Sequence, residues 1–110
     1  MPHRRLPAQD SPPYDLLEFP GGFALLVEVG PAEQLAITPE VDSISVSGTR
    51  PARSPLPYPN QRFIYNGRPA GPFRYEFAVP GPRHIRAADS IEADVHDGLL
   101  SVTVIHAKRN

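Results

Sequence analysis

The sequence predicts an all-β fold, an antiparallel β-sandwich, and three observations carry that expectation. First, 15 Pro and 8 Gly punctuate the 110 residues from Pro2 to Pro82. An interior Pro costs a helix about 3 kcal/mol, so a helix bundle is excluded. Second, from Tyr14 onward apolar and polar residues alternate with period two, the mark of half-buried strands. Third, turn signals cut that pattern into seven short runs, the spacing expected of a sandwich. One domain fits this length. With 40% apolar and 21% charged residues the chain can bury a core rather than stay disordered.

Residues 1–13 are polar and Pro-rich and read as a short flexible arm. Tyr14, Leu16 and Glu18 then alternate with Asp15, Leu17 and Phe19, and Pro20-Gly21-Gly22 makes a turn. Phe23, Leu25, Val27 and Val29 share one face of the next strand, which Gly30-Pro31 stops. Leu35 and Ile37 flank Ala36 in a short strand ended by Pro39. Ile44 and Val46 lie between Ser43, Ser45 and Ser47 in a strand closed by Gly48. Residues 49–72 form a long loop with six Pro. It is longer than the 12–15 structureless residues, roughly, that compact domains tolerate. Inside it Arg62-Phe63-Ile64-Tyr65 is a β-prone patch suited to folding back on its own sheet or pairing with the edge of another chain.

Phe73, Tyr75, Phe77 and Val79 alternate with Arg74, Glu76 and Ala78 before Pro80-Gly81-Pro82. The final unit is a tight hairpin. Ile91, Ala93 and Val95 alternate with Glu92, Asp94 and His96; Asp97-Gly98 is a two-residue turn that accepts positive φ; Leu100, Val102 and Val104 continue on the far side. The only helical expectation is a single turn around residues 32–34 or 83–88.

Composition excludes several chemistries. A net charge of −1 offers no excess of cations to neutralise phosphates, so nucleic acid is not an expected partner. With no Cys there is no disulfide, thiolate metal site or thiol nucleophile. The longest strongly apolar run, residues 23–27, is far below a membrane span, and the residues behind Arg4-Arg5 lack the apolar stretch of a secretory signal. A cytoplasmic protein without membrane association is expected. His3, His84, His96 and His106 lack metal-ligand spacing and read as solvent-facing, His96 and His106 sitting near opposite ends of one hairpin. Carboxylates, Asp89, Glu92 and Asp94 among them, are scattered. Most alternate with apolar residues, which places them on wet faces. The strand serines Ser43, Ser45, Ser47 and Ser101 lack a nucleophile elbow and read as a polar outer face, and no glycine-rich phosphate loop is present. No cofactor, metal or catalytic residue is expected.

The residues resemble the alpha-crystallin domain of small heat-shock proteins over about 14–108. Ala93-Asp94-Val95-His96-Asp97-Gly98-Leu99-Leu100 fits that family's closing signature, with Val102, Val104 and a basic Lys108 beyond it. Ser45-Val46-Ser47-Gly48-Thr49-Arg50 resembles the family strand ending in Gly and Arg. Gly71, Phe73, Phe77, Val79 and Pro80 resemble its Gly-x-Phe…Phe-x-Leu-Pro stretch. There are departures. Tyr75 stands where the family often has Arg, with Arg74 one place earlier. Gly67-Arg68 replaces a Glu-Arg pair before the loop glycine, Gly30-Pro31 inverts the usual order, and no Ile-x-Ile anchor follows Lys108.

The resemblance implies an immunoglobulin-like sandwich whose long loop, of the bacterial and plant type, carries a dimerisation strand. Arg62, Phe63, Ile64 and Tyr65 would cross to Asp15, Leu16, Leu17 and Glu18 of a partner, giving a homodimer by strand exchange. It implies an ATP-independent holdase of the stress response that binds partly unfolded client proteins. A groove bordered by Leu35, Ile37, Ile91, Ala93 and Val95 would accept apolar strands. With a short arm and residues 109–110 as the end, assembly is expected to stop at the dimer. A related CS-type co-chaperone sandwich is the alternative; a small hydrolase or sugar-binding sandwich would need clustered carboxylates.

Overall fold

The computed structural model describes residues 12–52, 59, 60, 62, 64 and 70–108. Phe63 and Tyr65 of the expected crossing strand lie outside the described residues, as do the first eleven residues of the arm. Seven strands follow in order: β1 Tyr14–Phe19, β2 Gly22–Glu28, β3 Glu33–Pro39, β4 Ser43–Arg50, β5 Gly71–Ala78, β6 Ser90–His96 and β7 Leu99–Ile105. They form two antiparallel sheets, β1-β2-β7-β6 and β3-β4-β5. Neither expected helical turn is present: Glu33 and Gln34 already belong to β3, and residues 79–89 are spent on turns and bends between β5 and β6. Among the described residues no helix is long and apolar enough to cross a membrane.

The period-two pattern sets the core. Phe23, Leu25, Val27 and Val29 are buried from β2 and its end, as are Ile44 and Val46 from β4. Phe73, Tyr75, Phe77 and Val79 join them from β5, and Leu100, Val102 and Val104 from β7. Residues i and i+2 on a strand point to one side, so each run delivers its apolar set to the space between the sheets. Burial of this area is the main stabilising term, about 25 cal/mol per Å² of apolar surface.

The turns follow their residues. Phe19 pairs with Gly22 across Pro20-Gly21, where Gly21 has φ +94. His96 pairs with Leu99 across Asp97 and Gly98, both at positive φ (49 and 78), the primed turn that matches strand twist. The Gly98 carbonyl also accepts from the Val29 and Gly30 amides (2.9 and 3.0 Å), which ties this hairpin's tip to the end of β2.

β4 does not stop at Gly48 but runs on to Arg50, paired with β5 as far as Gly71. Gly48 is needed for closeness instead: a Cβ there would lie 2.9 Å from the Phe73 ring and 3.0 Å from the Leu35 side chain. The extra two residues carry Arg50 to the core's rim. Its guanidinium stacks 4.7 Å over Phe73 and donates to the Tyr75 hydroxyl (3.1 Å) and the Val29 carbonyl (3.3 Å). One side chain thus ties the two sheets together. Tyr75, the departure noted in the sequence, is the buried acceptor that makes this possible.

Candidate functional site

Sheet stacking decides which edges lie open. The Tyr14 ring meets Phe77 at 4.9 Å, so β1 lies over β5. The sheet orders then leave β3 and β6 as the facing edges on the opposite flank. Leu35 and Ile37 of β3 and Ile91 of β6 are half-buried against the core. Ala93 and Val95 stand opposite Val102 and Leu100 in the β6–β7 register and therefore point the same way, toward the space between sheets. Yet both are exposed, Val95 at 45%. Their inward direction combined with exposure means that the inner side of β6 is not covered by β3. The five residues thus lie on the two edge strands, Leu35, Ile37 and Ile91 half-buried against the core and Ala93 and Val95 exposed.

The other flank is built on β1. Tyr14, Leu16 and Glu18 face inward, opposite Val27, Leu25 and Phe23; Asp15, Leu17 and Phe19 face outward. Every residue from Tyr14 to Glu18 is exposed, including Leu16 (37%) and Leu17 (52%). Leu16, Leu17, Phe23, Val79 and Pro80 line a hollow of ≈ 170 Å³. At its rim Arg83 donates from Nε and Nη2 to one Glu18 oxygen (2.9 and 2.6 Å), an exposed pair of small energetic weight. The expected crossing residues Arg62 and Ile64 are both exposed.

Two expectations about polar residues are overturned. Asp89 is not on a wet face: its side chain is completely buried, and His106 keeps only 14% of its side-chain exposure. Asp89 Oδ2 accepts from the Arg86 amide (2.9 Å) and lies 3.0 Å from His106 Nδ1, while Oδ1 accepts from the Ala107 amide (2.9 Å). Burial works to raise the Asp89 pKa, but the two amides and the His106 ring outweigh it and lower it to about 2. The clasp joins the turn before β6 to the residues after β7. His106 Nε2 is buried near the Phe23 ring (5.8 Å between centroids) without a hydrogen-bond partner. Among the described residues no group of three His or carboxylate side chains could hold a metal. Seventeen residues separate Asp89 from His106, so spacing gave no signal. Ser43 and Ser45, read as an outer polar face, are buried there; Arg74 Nη2 donates to Ser45 Oγ (3.0 Å) and covers the row.

No protein-family model and no curated protein matches the chain. Solved structures do. HSP18.5 from E. histolytica superposes with a TM-score of 0.63 at 25% identity, over 90% of each chain. Heat shock protein 16.0 from Schizosaccharomyces pombe gives 0.68 at 24% identity, over 94% of this chain and 79% of that one. A small heat-shock protein from Xylella fastidiosa gives 0.62 at 23% identity, over 94% and 93%. The chain shares the fold of small heat-shock proteins, in line with the resemblance of its sequence.

Proposed function

We propose that this chain is a molecular chaperone of the small heat-shock type, a cytoplasmic holdase that uses neither nucleotide nor cofactor. It binds partly unfolded proteins through strand addition at the flank of Leu35, Ile37, Ile91, Ala93 and Val95. The observation that carries the reading is the inward-pointing yet exposed Ala93 and Val95 beside the free edges of β3 and β6. An extended apolar segment laid there gains backbone hydrogen bonds from an edge and covers the strip. The shared fold supports the same role. No bond is made or broken, so the activity is stoichiometric: chaperone held at the client's concentration prevents aggregation, and a trace does not.

The direct test is suppression of light scattering by a heated model substrate, run beside binding of a labelled peptide with an Ile-x-Ile core. Both should be seen, the peptide weakly, because a short strand must be ordered before it pairs. Ala93→Glu sets an unpaired carboxylate in the strip without disturbing a buried position. It should weaken peptide binding at least tenfold while the melting temperature stays put. Unchanged peptide affinity in that variant would place the site elsewhere.

Assembly belongs to the other flank. Arg62, Phe63, Ile64 and Tyr65 of one subunit pair with Asp15, Leu16, Leu17 and Glu18 of another, forming a homodimer. The exposure of β1 on both faces and the complete exposure of Ile64 support this. Removing residues 55–68 should leave a folded monomer by light scattering and circular dichroism. A deletion variant that remains dimeric rules the crossing strand out. A parent chain that is itself a monomer favours the CS-type co-chaperone reading instead.

A further inference from the structure

Charge around the proposed strand-binding flank is one-sided. The chain carries 11 Lys and Arg against 12 Asp and Glu, yet β3 and β6 contain no Lys or Arg at all. On β6 the outward row is Glu92, Asp94 and His96, opposite Thr103, Ser101 and Leu99 of β7. Among the described residues no cation pairs with Glu92 or Asp94, and the two residues line a shallow depression with Ala93, Ser101 and Thr103. His96 Nε2 lies 3.3 Å from Asp97 Oδ2. Glu33 adds a third carboxylate at the start of β3. The nearest cation in sequence, Arg86, precedes β6 by four residues.

A strand that pairs with the β6 edge inherits this pattern. Its inward residues stand beside Ile91, Ala93 and Val95, and its outward residues stand directly beside Glu92 and Asp94. At cross-strand separations of about 5 Å opposite charges attract and like charges repel. We infer that the preferred occupant is an amphipathic segment of a partner protein in which apolar residues alternate with Lys or Arg, and that segments alternating with Asp or Glu are rejected. The inference rests on the proposed strand addition at this flank and adds the chemistry of what is selected. It uses the free edge, the inward apolar row and the outward carboxylates together; the carboxylates alone would define no site.

The test compares three labelled peptides of one length and one Ile-x-Ile-x-Ile core, with x as Arg, Ser or Glu. Binding is read by fluorescence anisotropy on the full chain at ionic strengths of about 0.01 M and about 1 M, where the Debye length is roughly 30 and 3 Å. The Arg peptide should bind at least tenfold more tightly than the Glu peptide at low salt, with Ser between, and the spread should shrink several-fold at high salt. In the double variant Glu92→Lys, Asp94→Lys the order should invert. Both positions are exposed on the outer face, so folding is unaffected. Equal affinity for all three peptides overturns the charge selection and leaves strand addition standing. Failure of all three overturns strand addition itself. Tight Arg-peptide binding that survives Ala93→Glu overturns the inference by placing the contact off the β6 edge.

Discussion

Replacing Gly22 with Ala should unfold the domain or come close to it. Gly22 sits in the row Phe19–Gly22–Ile105, the first residue of β2 and paired on both sides. A Cβ there would run into the Val104 carbonyl oxygen and come within 3.1 Å of the Phe19 ring. A ring can turn, but a carbonyl fixed in the β2–β7 ladder cannot withdraw without opening it. Overpacking that the core absorbs by small side-chain and backbone shifts costs about 1–3 kcal/mol. Displacing central backbone should exceed that, against a total stability of about 5–15 kcal/mol. Gly21 is the control one residue away. Its φ of +94 strains an alanine, but nothing lies within 4 Å of the added carbon, so the cost there is about 1–2 kcal/mol. Thermal melts of the two variants should therefore diverge widely. If Gly22→Ala melts with Gly21→Ala, the close approach of Gly22 to Val104 is wrong.

Asp89→Ala should be the most damaging change at a polar side chain. It strips the acceptor from the Arg86 and Ala107 amides and the His106 ring at once, in a place water does not reach. Hydrogen bonds to a charged group are worth about 1.5–3 kcal/mol, and donors left buried cost more. A loss of about 3 kcal/mol, seen as a melting temperature lower by roughly 10 °C, is expected. The same clasp sets an acid limit. The carboxyl titrates at about 2 in the folded chain and at 3.8 as an unperturbed group. The folded state thus holds its proton less tightly than the unfolded one. The stabilisation is complete above about pH 4, fades as pH falls below 3.8, and is gone once pH passes below about 2. Urea midpoints measured from pH 5 to pH 2 should fall for the parent chain and fall less steeply for Asp89→Ala. Parallel slopes would show that Asp89 does not carry the acid sensitivity.

The fold was legible because its strands are amphipathic. Phe23 to Val29, Phe73 to Val79 and Leu100 to Val104 announce their faces by alternation, and Asp97-Gly98 announces its turn by the φ it accepts. The strip residues were legible only by resemblance. Alternation assigns Ala93 and Val95 an inward direction, but whether a facing strand covers them depends on how two sheets are offset, which no local pattern encodes. Distance in sequence hid the rest. Asp89 and His106 each look like a surface residue within its own segment, and the two meet only when sheet and turn have closed. Gly48 read as a stop because glycine so often is one, whereas here it lets Leu35 and Phe73 approach. Arg50 lay beyond that stop, so its stacking on Phe73 could not be foreseen.

Sheet order has a consequence for how the protein is made. β2 leaves the ribosome early, with β1 on one side, but its other neighbour is β7, 77 residues later in the chain by the count from Glu28 to Ile105. At about 5–20 residues per second that is a wait of roughly 4–15 s. A hairpin closes in microseconds but is only marginally stable alone, so throughout that wait Phe23, Leu25 and Val27 stay uncovered by the rest of the sandwich. Synthesis therefore passes through a nascent chain that displays the kind of surface the finished fold is proposed to bind.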